Sequence, residues 1–235
     1  MRKETFCFAA AVGFVLMGLV ACNSKPTENG NLELSESIET EEAENTGVKL
    51  LAAITDEDGN VEHSFEYDKQ NRIVKIDGDT VIYTKKSIRV GSEKYIIDGN
   101  RIEPSNDIEF AINENGYMLG LDGASYEYKD GNLIRIVDRE DEGGAVSNYS
   151  YDKNNSPLSN CTTPKWLIQC LLGGFDLANK NNLVKVAGDR FISTCKYQYD
   201  GNGYPVKLTK TFKWDESEEE KTIIRFVYRG EKQKD

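Results

Sequence analysis

The residues of this chain that can do chemistry are chiefly carboxylates. Acid pairs occur at Asp56 and Asp58, at Asp77 and Asp79, and in the run 138–142. A glycosidase needs two carboxyl groups held at a defined separation across a cleft, so these pairs indicate one alternative function, a hydrolase. The chain has 40 acidic residues, so close pairs also arise by chance. No catalytic motif marks any of them, and we predict no catalytic residues and no enzyme.

Histidine and metal chemistry are both disfavoured. His63 is the only histidine, and its alternation with Val61 and Phe65 predicts a structural place in a strand. The segment that begins at Asp56 starts like a calcium loop, but Val61 stands where glycine is expected and Tyr67 where glutamate is expected. The cysteines lack the close paired spacing of a zinc site. We predict no metal and no cofactor.

Aromatic rings are the candidate ligand-binding groups. The chain has 12 Tyr and 2 Trp, and an exposed ring can stack on the face of a sugar or pack on a peptide. We select Trp214, Tyr117 and Tyr204 as candidate binding residues. The alternative is that they fill a β-sheet core, where aromatic residues are enriched.

The N-terminal segment has the pattern of a secretory signal. Arg2 and Lys3 precede an apolar run over 6–20, shorter than the about 20 apolar residues that a membrane-spanning helix needs. The run ends in Leu19-Val20-Ala21-Cys22, which resembles the bacterial lipoprotein signal. That resemblance implies that residues 1–21 are removed and that Cys22 is acylated, with palmitate-type chains on its sulfur. The alternative is an ordinary secretory signal with a chance cysteine.

Residues 22–47 are predicted to form an acidic, flexible tether. Seven glutamates lie over 28–44, with no basic residue after Lys25 and no aromatic residue. Such a segment buries too little apolar surface to fold, and its like charges extend it. The alternative is a short amphipathic helix over 32–43. Asn23, where an aspartate would indicate the inner membrane, favours the outer membrane, on its periplasmic face or on the cell surface.

The charge balance argues against a nucleic-acid partner. The chain has 29 basic and 40 acidic residues, a net charge of −11. A phosphate backbone is repelled unless a local basic patch overrides this field, and the sequence shows no such patch. Part of the negative charge belongs to the tether, so the remaining domain is only mildly acidic.

Residues 48–235 are predicted to form a single β domain. In Val61–Tyr67 the alternation places Phe65 and Tyr67 with Val61 on one face. Short strands joined by Gly, Asn and Asp turns are typical of an antiparallel up-and-down meander, here curled into a barrel or barrel-like sheet. The predicted strands are 61–67, 72–77, 80–84, 87–91, 93–97, 107–112, 117–121, 124–128, 132–138, 146–151, 182–187, 191–199, 204–214 and 222–229.

One segment, 163–172, is predicted to be a short helix. Thr163 supplies a hydroxyl cap, Pro164 fits the first turn and Gly173 ends the helix. We expect the helix to plug or cover part of the sheet. Its predicted inner face consists of Trp166, Leu167, Cys170 and Leu171.

Three cysteines remain in the domain. In an oxidising compartment Cys161 and Cys170 can form a disulfide, which leaves Cys195 odd. The alternative is that all three stay as buried thiols.

A spacing of aromatic-x-Tyr-Asp-x-x-(Asn or Gly) recurs at hairpin corners. It occurs at Phe65–Asn71, Tyr149–Asn155 and Tyr197–Gly203, with a looser copy at Tyr126–Asn132. The aspartate can accept hydrogen bonds from the turn amides, and the closing Asn or Gly tolerates a positive φ. We interpret these residues as turn and core devices rather than as a ligand site.

The repeat resembles the tyrosine-aspartate repeats of large bacterial wrapped-sheet proteins. In its order of motifs the chain also resembles, over about 60–229, a family of Gram-negative lipoproteins of unknown function with a porin-like β fold. The family usually has Asn directly before Pro, whereas this chain has Asn155-Ser156-Pro157, which implies a longer loop. The resemblance supplies no activity and no catalytic residues. The matching pieces are Tyr151-Asp152 leading to Leu158, the Trp166 helix, Asn179–Val186 and Tyr197–Pro205.

The predicted strands are unsuited to a membrane. A membrane strand needs about 9–11 residues with a continuous lipid-facing side, whereas most of these are shorter. A Lys or Arg near the bilayer centre costs about 2–4 kcal/mol. We therefore expect a barrel in water, held to the membrane by lipid. The charged residues expected on its outer face are Glu62, Glu66, Arg135, Lys207 and Lys210.

The sequence thus predicts a monomeric, lipid-anchored protein of the cell envelope. Its partners are membrane lipid through acylated Cys22 and a glycan, peptide or protein ligand held by the β domain. The alternatives are an envelope hydrolase that acts through paired carboxylates and a purely structural component of the outer membrane.

Overall fold

The computed structural model describes residues 48–106, 108–139, 144–173, 176–215 and 217–230. All of them belong to one compact unit. The predicted signal peptide, Cys22 and the tether lie outside the described residues, as does most of the acidic run 138–142.

Strands dominate the described residues. The sixteen strands are β1 (Leu51–Thr55), β2 (Val61–Tyr67), β3 (Ile73–Ile76), β4 (Asp79–Tyr83), β5 (Ser87–Val90), β6 (Glu93–Asp98), β7 (Arg101–Pro104), β8 (Phe110–Ala111), β9 (Gly120–Leu121), β10 (Ala124–Lys129), β11 (Asn132–Val137), β12 (Val146–Tyr151), β13 (Leu183–Ala187), β14 (Phe191–Tyr199), β15 (Pro205–Trp214) and β16 (Glu220–Tyr228). Helix α1 spans Lys165–Leu171, and a 3₁₀ turn spans Asp176–Ala178.

The strands form one antiparallel meander that is a nearly closed barrel. Each strand pairs with the next in the chain from β1 to β8 and from β9 to β16, and β1 pairs with β16. The remaining junction, between β8 and β9, is narrow: a bridge joins Ile112 to Met118, and the Leu119 amide donates to the Ala111 carbonyl at 2.8 Å. The predicted all-β, up-and-down barrel with one short helix is confirmed.

Two strands, β1 and β7, were missing from the sequence prediction. Strand β1 reads Leu-Ala-Ala-Ile-Thr, with no polar alternation and with helix-tolerant alanines. Strand β7 has four residues and ends in Pro104, and proline weakens a strand assignment. Both form because their neighbours in the sheet offer them backbone partners.

One face of each strand supplies the core. In β2, Phe65 and Tyr67 are buried as predicted, whereas Val61 is 61% exposed. A register shift between Ile54 and Thr55 in the β1–β2 pair separates Val61 from the buried row. The core continues around the barrel through residues such as Leu51, Ile73, Ile102, Leu133, Leu183, Val186 and Tyr228.

The predicted hairpin corners share one hydrogen-bonded form. Asp68 Oδ1 accepts from the amides of Gln70 and Arg72, both at 2.9 Å, and Asn71 has φ 62°. Asp200 Oδ1 accepts in the same way from Asn202 and Tyr204, both at 2.9 Å. The carboxylate therefore satisfies amides that the turn would otherwise leave unpaired.

The third corner of this form contains a long insertion. Asp152 Oδ1 accepts from the Asn154 amide at 3.0 Å and from the Asn182 amide at 3.1 Å. The Asp152 amide donates in turn to the Asn182 carbonyl at 3.0 Å. Asn182 thus takes the place that Arg72 and Tyr204 take in the other two corners. The segment 155–181, which contains α1, is an insertion into a hairpin turn.

The insertion covers the end of the barrel at which these corners lie. Its backbone bonds to three other turns: the amides of Thr162, Trp166 and Lys180 donate to the carbonyls of Asn71, Gly116 and Gly131, at 2.9 to 3.0 Å. Trp166 lies inside, with its ring centroid 5.4 Å from that of Tyr95 and 5.9 Å from that of Phe110.

Two details of the predicted helix were wrong. The N-cap is Pro164, without a side-chain cap bond. Thr163, the expected cap, instead accepts the Ile73 amide of β3 at 2.8 Å. The predicted inner face was wrong at Cys170 and Leu171, which are only half buried. Ile168 and Gln169 are buried instead, together with Trp166 and Leu167.

We predict that Trp166→Ala lowers the free energy of unfolding by about 3–5 kcal/mol, because it empties a fully packed site in the barrel. Trp166 is 2% exposed. Urea denaturation of residues 42–235 measures the change. The control is Trp214→Ala, at a tryptophan that is 39% exposed, for which we expect a loss several times smaller. Equal losses for the two variants would show that the insertion does not hold the barrel.

Candidate functional site

Strands β14, β15 and β16 are longer than their neighbours, and this leaves part of the inner barrel face uncovered. They have nine, ten and nine residues, whereas β13 and β1 have five each. Residues directly opposite in an antiparallel pair share a face, so the β14–β15 register defines one continuous inner row. Its pairs, from the insertion end outward, are Tyr197–Leu208, Cys195–Lys210, Ser193–Phe212 and Phe191–Trp214.

Three rings at the outer end of this row form an aromatic rim, consisting of Phe191, Phe212 and Trp214. The Phe191 and Trp214 rings stack with centroids 5.7 Å apart and planes 6° apart, and the Phe191 and Phe212 centroids are also 5.7 Å apart. The Phe191 ring lies directly over Gly188, where an added Cβ would stand 2.2 Å from the ring. Any larger residue at position 188 would therefore collide with the Phe191 ring in its present position.

A cation lies over the rim. The guanidinium of Arg190 stands 5.7 Å from the Trp214 ring centroid, and its Nε donates to Asp215 Oδ2 at 3.0 Å. The Asp215 amide also donates to the Arg190 carbonyl at 2.7 Å. The turn after β15 therefore orients Arg190 over the exposed indole, a geometry that favours a cation–π contact.

A charged pair lies next to the rim, deeper in the barrel. Lys210 Nζ is 3.7 Å from Asp176 Oδ2, and the Lys210 side chain is only 12% exposed. Lys210 therefore lies on the inner face, and its predicted outward position was wrong. The alternation of β15 places Lys210 on the same face as Leu208 and Phe212. The sequence pattern did not reveal this, because two lysines and two threonines are the nearest polar neighbours of Lys210 in the strand.

Several protic side chains surround this pair. Burial, and then the negative charge of Asp176, raise the pKa of Cys195 to about 12. The same two causes raise the pKa of Tyr151, whose hydroxyl is buried without a hydrogen-bond partner among the described residues. The inner row thus leads from the stacked rings to a charged pair.

The structure does not bring the three predicted aromatic candidates together. Trp214 belongs to the rim. Tyr117 is 7% exposed, stacks on Tyr128 at 4.7 Å and donates its hydroxyl to the Gly131 carbonyl at 3.0 Å. Its predicted exposure was wrong, because the insertion and the corner at Gly131 close over it. Tyr204 is half buried at the insertion end, where its hydroxyl accepts a hydrogen bond from the side-chain Nδ2 of Asn160 at 2.8 Å.

The predicted disulfide between Cys161 and Cys170 is absent from the structure. None of the three cysteines of the described domain forms a disulfide. Cys161 lies against Thr163 and Ile73 on the β3 side, and burial raises its pKa. Cys170 lies instead near Tyr126 of β10. The two thiols therefore lie on different sides of the inserted helix.

Asp56 and Asp77, each from one of the acid pairs noted in the sequence, lie at turns and accept hydrogen bonds there. Asp56 accepts from the Asn60 amide at 2.8 Å and from its side chain at 2.7 Å. Asp77 accepts from the Ser64 amide at 2.7 Å and stands 2.8 Å from His63 Nδ1. His63 thus ties strand β2 to a turn. In the part of the chain that the structure describes, no three His, Cys, Asp or Glu side chains group as metal ligands.

Comparisons with known proteins identify the fold. No protein-family model matches the chain, and no curated protein matches it. A porin-like protein from Bacteroides uniformis ATCC 8492 matches with a TM-score of 0.50 at 13% identity, over 71% of this chain and 89% of that one. A porin-like protein from Bacteroides vulgatus ATCC 8482 matches with a TM-score of 0.41 at 14% identity, over 78% of this chain and 100% of that one. The porin-like β fold that the sequence resembles is therefore confirmed at the level of fold.

No helix within the described residues has the length and apolar content to cross a membrane.

A second polar site lies at the insertion end of the barrel, opposite the aromatic rim, where β1 begins. Lys49 forms a salt bridge with Asp200, and its ammonium stands 4.7 Å from the Tyr228 ring centroid and 5.7 Å from that of Tyr204. Burial alone would raise the pKa of Asp200, but the bonds from Lys49 and from the amides of Tyr204 and Asn202 hold it below 3.8. This pair fixes the start of the domain to the β14–β15 corner.

We predict that Asp200→Asn lowers the free energy of unfolding by about 1 kcal/mol at neutral pH. Asparagine can keep the turn bonds, because Asn113 accepts two amides in the same way, both at 3.0 Å. Because the folded-state pKa of Asp200 is depressed, its stabilisation is present above the unfolded pKa and is lost as pH falls through the folded pKa. The difference between variant and wild type should therefore vanish in acid, as measured by urea denaturation from neutral pH to pH below about 3. A difference independent of pH would contradict the ion-pair assignment.

Proposed function

We propose that this chain is a lipid-anchored protein of the cell envelope whose β domain binds a glycan at the aromatic rim. The observation that carries the proposal is the stacked, partly exposed set of Phe191, Phe212 and Trp214 at the uncovered end of the inner face. Large aromatic side chains are most often buried, so a stacked group at an opening is a feature that function explains better than folding.

The chemistry beside the rim favours a sugar over a purely apolar ligand. A sugar presents an apolar ring face and a rim of hydroxyls, and the site offers rings next to polar groups. The Lys210 ammonium and the Asp176 carboxylate supply a donor and an acceptor, and Lys210 lies two residues along β15 from Phe212. A peptide or a partner protein is the alternative, because Trp and Arg are also enriched at the centres of protein interfaces.

An envelope location is part of the same proposal. It is supported by the signal-like segment that ends at Cys22 and by the likeness in fold to a Bacteroides protein described as porin-like. Two or three acyl chains on Cys22 would hold the domain stably at a membrane, since each buried CH₂ contributes about 0.8 kcal/mol.

We predict that Trp214→Ala weakens oligosaccharide binding about 30-fold, corresponding to about 2 kcal/mol. The probes are hexasaccharides of glucose, mannose, xylose and N-acetylglucosamine, titrated by calorimetry against residues 42–235. Trp214→Phe keeps a ring and should restore most of the affinity. Ile192→Ala is the matched control, because Ile192 is also 39% exposed and lies on the outer face of the neighbouring strand.

Two results would count against the rim. One is that none of the four hexasaccharides binds the wild-type domain while an unrelated peptide library does. The other is that Trp214→Ala and Ile192→Ala weaken binding equally, which would place the sugar elsewhere.

We predict that Cys22→Ala moves the protein from the membrane fraction to the soluble or unprocessed fraction, because it removes the acylation site. Fractionation of cells followed by phase partitioning in detergent measures the change. Cys7→Ala, in the segment predicted to be removed, is the control and should leave membrane attachment unchanged. A Cys22→Ala protein that is cleaved normally and still partitions as a lipoprotein would exclude the anchor.

A further inference from the structure

The outer face of strands β13 to β16 carries a patch of positive charge. The alternate residues 192, 194, 196 and 198 of β14 point outward, and the registers place on the same face residues 185 and 187 of β13, 207 to 213 at every second position of β15, and 221, 223 and 225 of β16. No acidic side chain occupies this face among the described residues of the four strands. We call this surface the basic face, and it consists of Lys185, Lys196, Lys207, Lys213, Lys221 and Arg225.

These six cations have no acidic partners among the described residues. Five are exposed and Lys207 is half buried. The acids described in this part of the chain lie between strands, at Asp189, Asp200, Asp215, Glu218 and Glu219, or, like Glu220, opposite Phe212 on the inner face. Among the described residues, the basic face is therefore a concentration of charge without neutralising acidic side chains.

Two outer-face cations elsewhere on the barrel have acidic partners. Lys75 pairs with Glu66 at 3.2 Å, and Arg135 pairs with Glu127 at 3.1 Å, in each case across two neighbouring strands. Like charges on adjacent strands repel, so a face without such pairs is disfavoured by folding alone. In a chain with a net charge of −11, the basic face indicates an anionic partner.

We propose that the basic face docks on an anionic lipid surface and contacts its phosphate headgroups. The six charges are spread over four strands spaced about 4.8 Å apart, with same-face residues about 7 Å apart along each strand. The remaining residues of the face are aliphatic or uncharged and polar, such as Ile192, Thr209 and Gln198, and none of them carries a ring. A broad array without a stacking platform suits a surface, whereas single polymer chains are usually held by a groove with aromatic rings.

The position of β1, the first strand of the domain, agrees with a membrane on the side of the basic face. Strand β1 pairs with β16, with Leu51 opposite Tyr228, so the chain enters the domain beside the basic face. Anionic membrane surfaces attract nearby Lys and Arg at short range. The proposal extends the lipid anchor to a second contact, but it is tested without Cys22, so that it can fail independently of the anchor.

The experiment uses residues 42–235, because the described residues within this range form a compact unit with a core and a nearly closed sheet of their own. The domain is floated with vesicles of pure phosphatidylcholine or of equal parts phosphatidylcholine and phosphatidylglycerol, at low and high salt. We expect binding only to the anionic vesicles, with loss at high salt because screening weakens the attraction.

Two triple variants with the same change in net charge separate a local face from overall charge. The test variant combines Lys185→Gln, Lys196→Gln and Lys221→Gln, and the control combines Arg89→Gln, Lys94→Gln and Lys129→Gln. All six positions are exposed, and thermal unfolding verifies that both variants fold. Each charge near the surface contributes about fivefold, so the test variant should bind on the order of 100-fold more weakly, and the control should change little.

Three outcomes would overturn the proposal. The first is that the wild-type domain does not float with anionic vesicles at low salt. The second is that the two triple variants lose binding equally, which would make the effect one of net charge. The third is that polygalacturonate, an acidic polysaccharide, binds the domain and displaces it from the vesicles, which would assign the basic face to a glycan.

Discussion

The carboxylate of Asp152 is the contact on which much of the remaining structure depends. Its Oδ1 accepts hydrogen bonds from the amides of Asn154 and Asn182, which flank the inserted segment 155–181. Its Oδ2 accepts from the hydroxyl of Tyr199. One side chain thus closes a hairpin turn, fixes both ends of the insertion and joins β12 to β14. Because the ends are fixed close together, the insertion can fold over the barrel end without disturbing the pairing of β12 and β13.

The insertion accounts for the difference between the two ends of the barrel. At one end Trp166 packs among Tyr95 and Phe110, and backbone bonds from the insertion reach three other turns. At the other end no comparable segment is described, and β14 to β16 extend past their neighbours. The same inner row that is core near Leu208 is therefore partly exposed at Trp214. A continuous sheet produces both a core and an open surface because its strands differ in length.

The two faces of the β14–β15 pair differ in their electrostatics. The inner face holds Lys210, paired with Asp176, among rings and buried protic groups whose pKa values are raised. The outer face holds unpaired lysines in contact with solvent. Alternation along each strand sends successive side chains to opposite faces, so Lys207 and Lys213 lie on the outer face while Lys210, between them in the sequence, lies inside.

The sequence by itself determined the local structure. Period-two alternation and turn residues predicted most strands, and the aspartate turns and the helix near Trp166 were predicted because each depends on hydrogen bonds or contacts within a few residues. The candidate site was predicted only at Trp214. Nothing in the sequence near Tyr117 indicates that the distant insertion buries it.

The tertiary structure decided which residues share a surface. The basic face escaped the sequence prediction because its cations come from four strands and only register and alternation bring them to one surface. Lys210, which lies between Lys207 and Lys213 in the sequence, faces the other way. The insertion of 155–181 within an aspartate corner was likewise hidden, since Asp152 and Asn182 meet only in the folded chain. Register, strand length and contacts between distant segments are long-range properties, and the physical cause of each is the pairing of strands rather than the preference of any single residue.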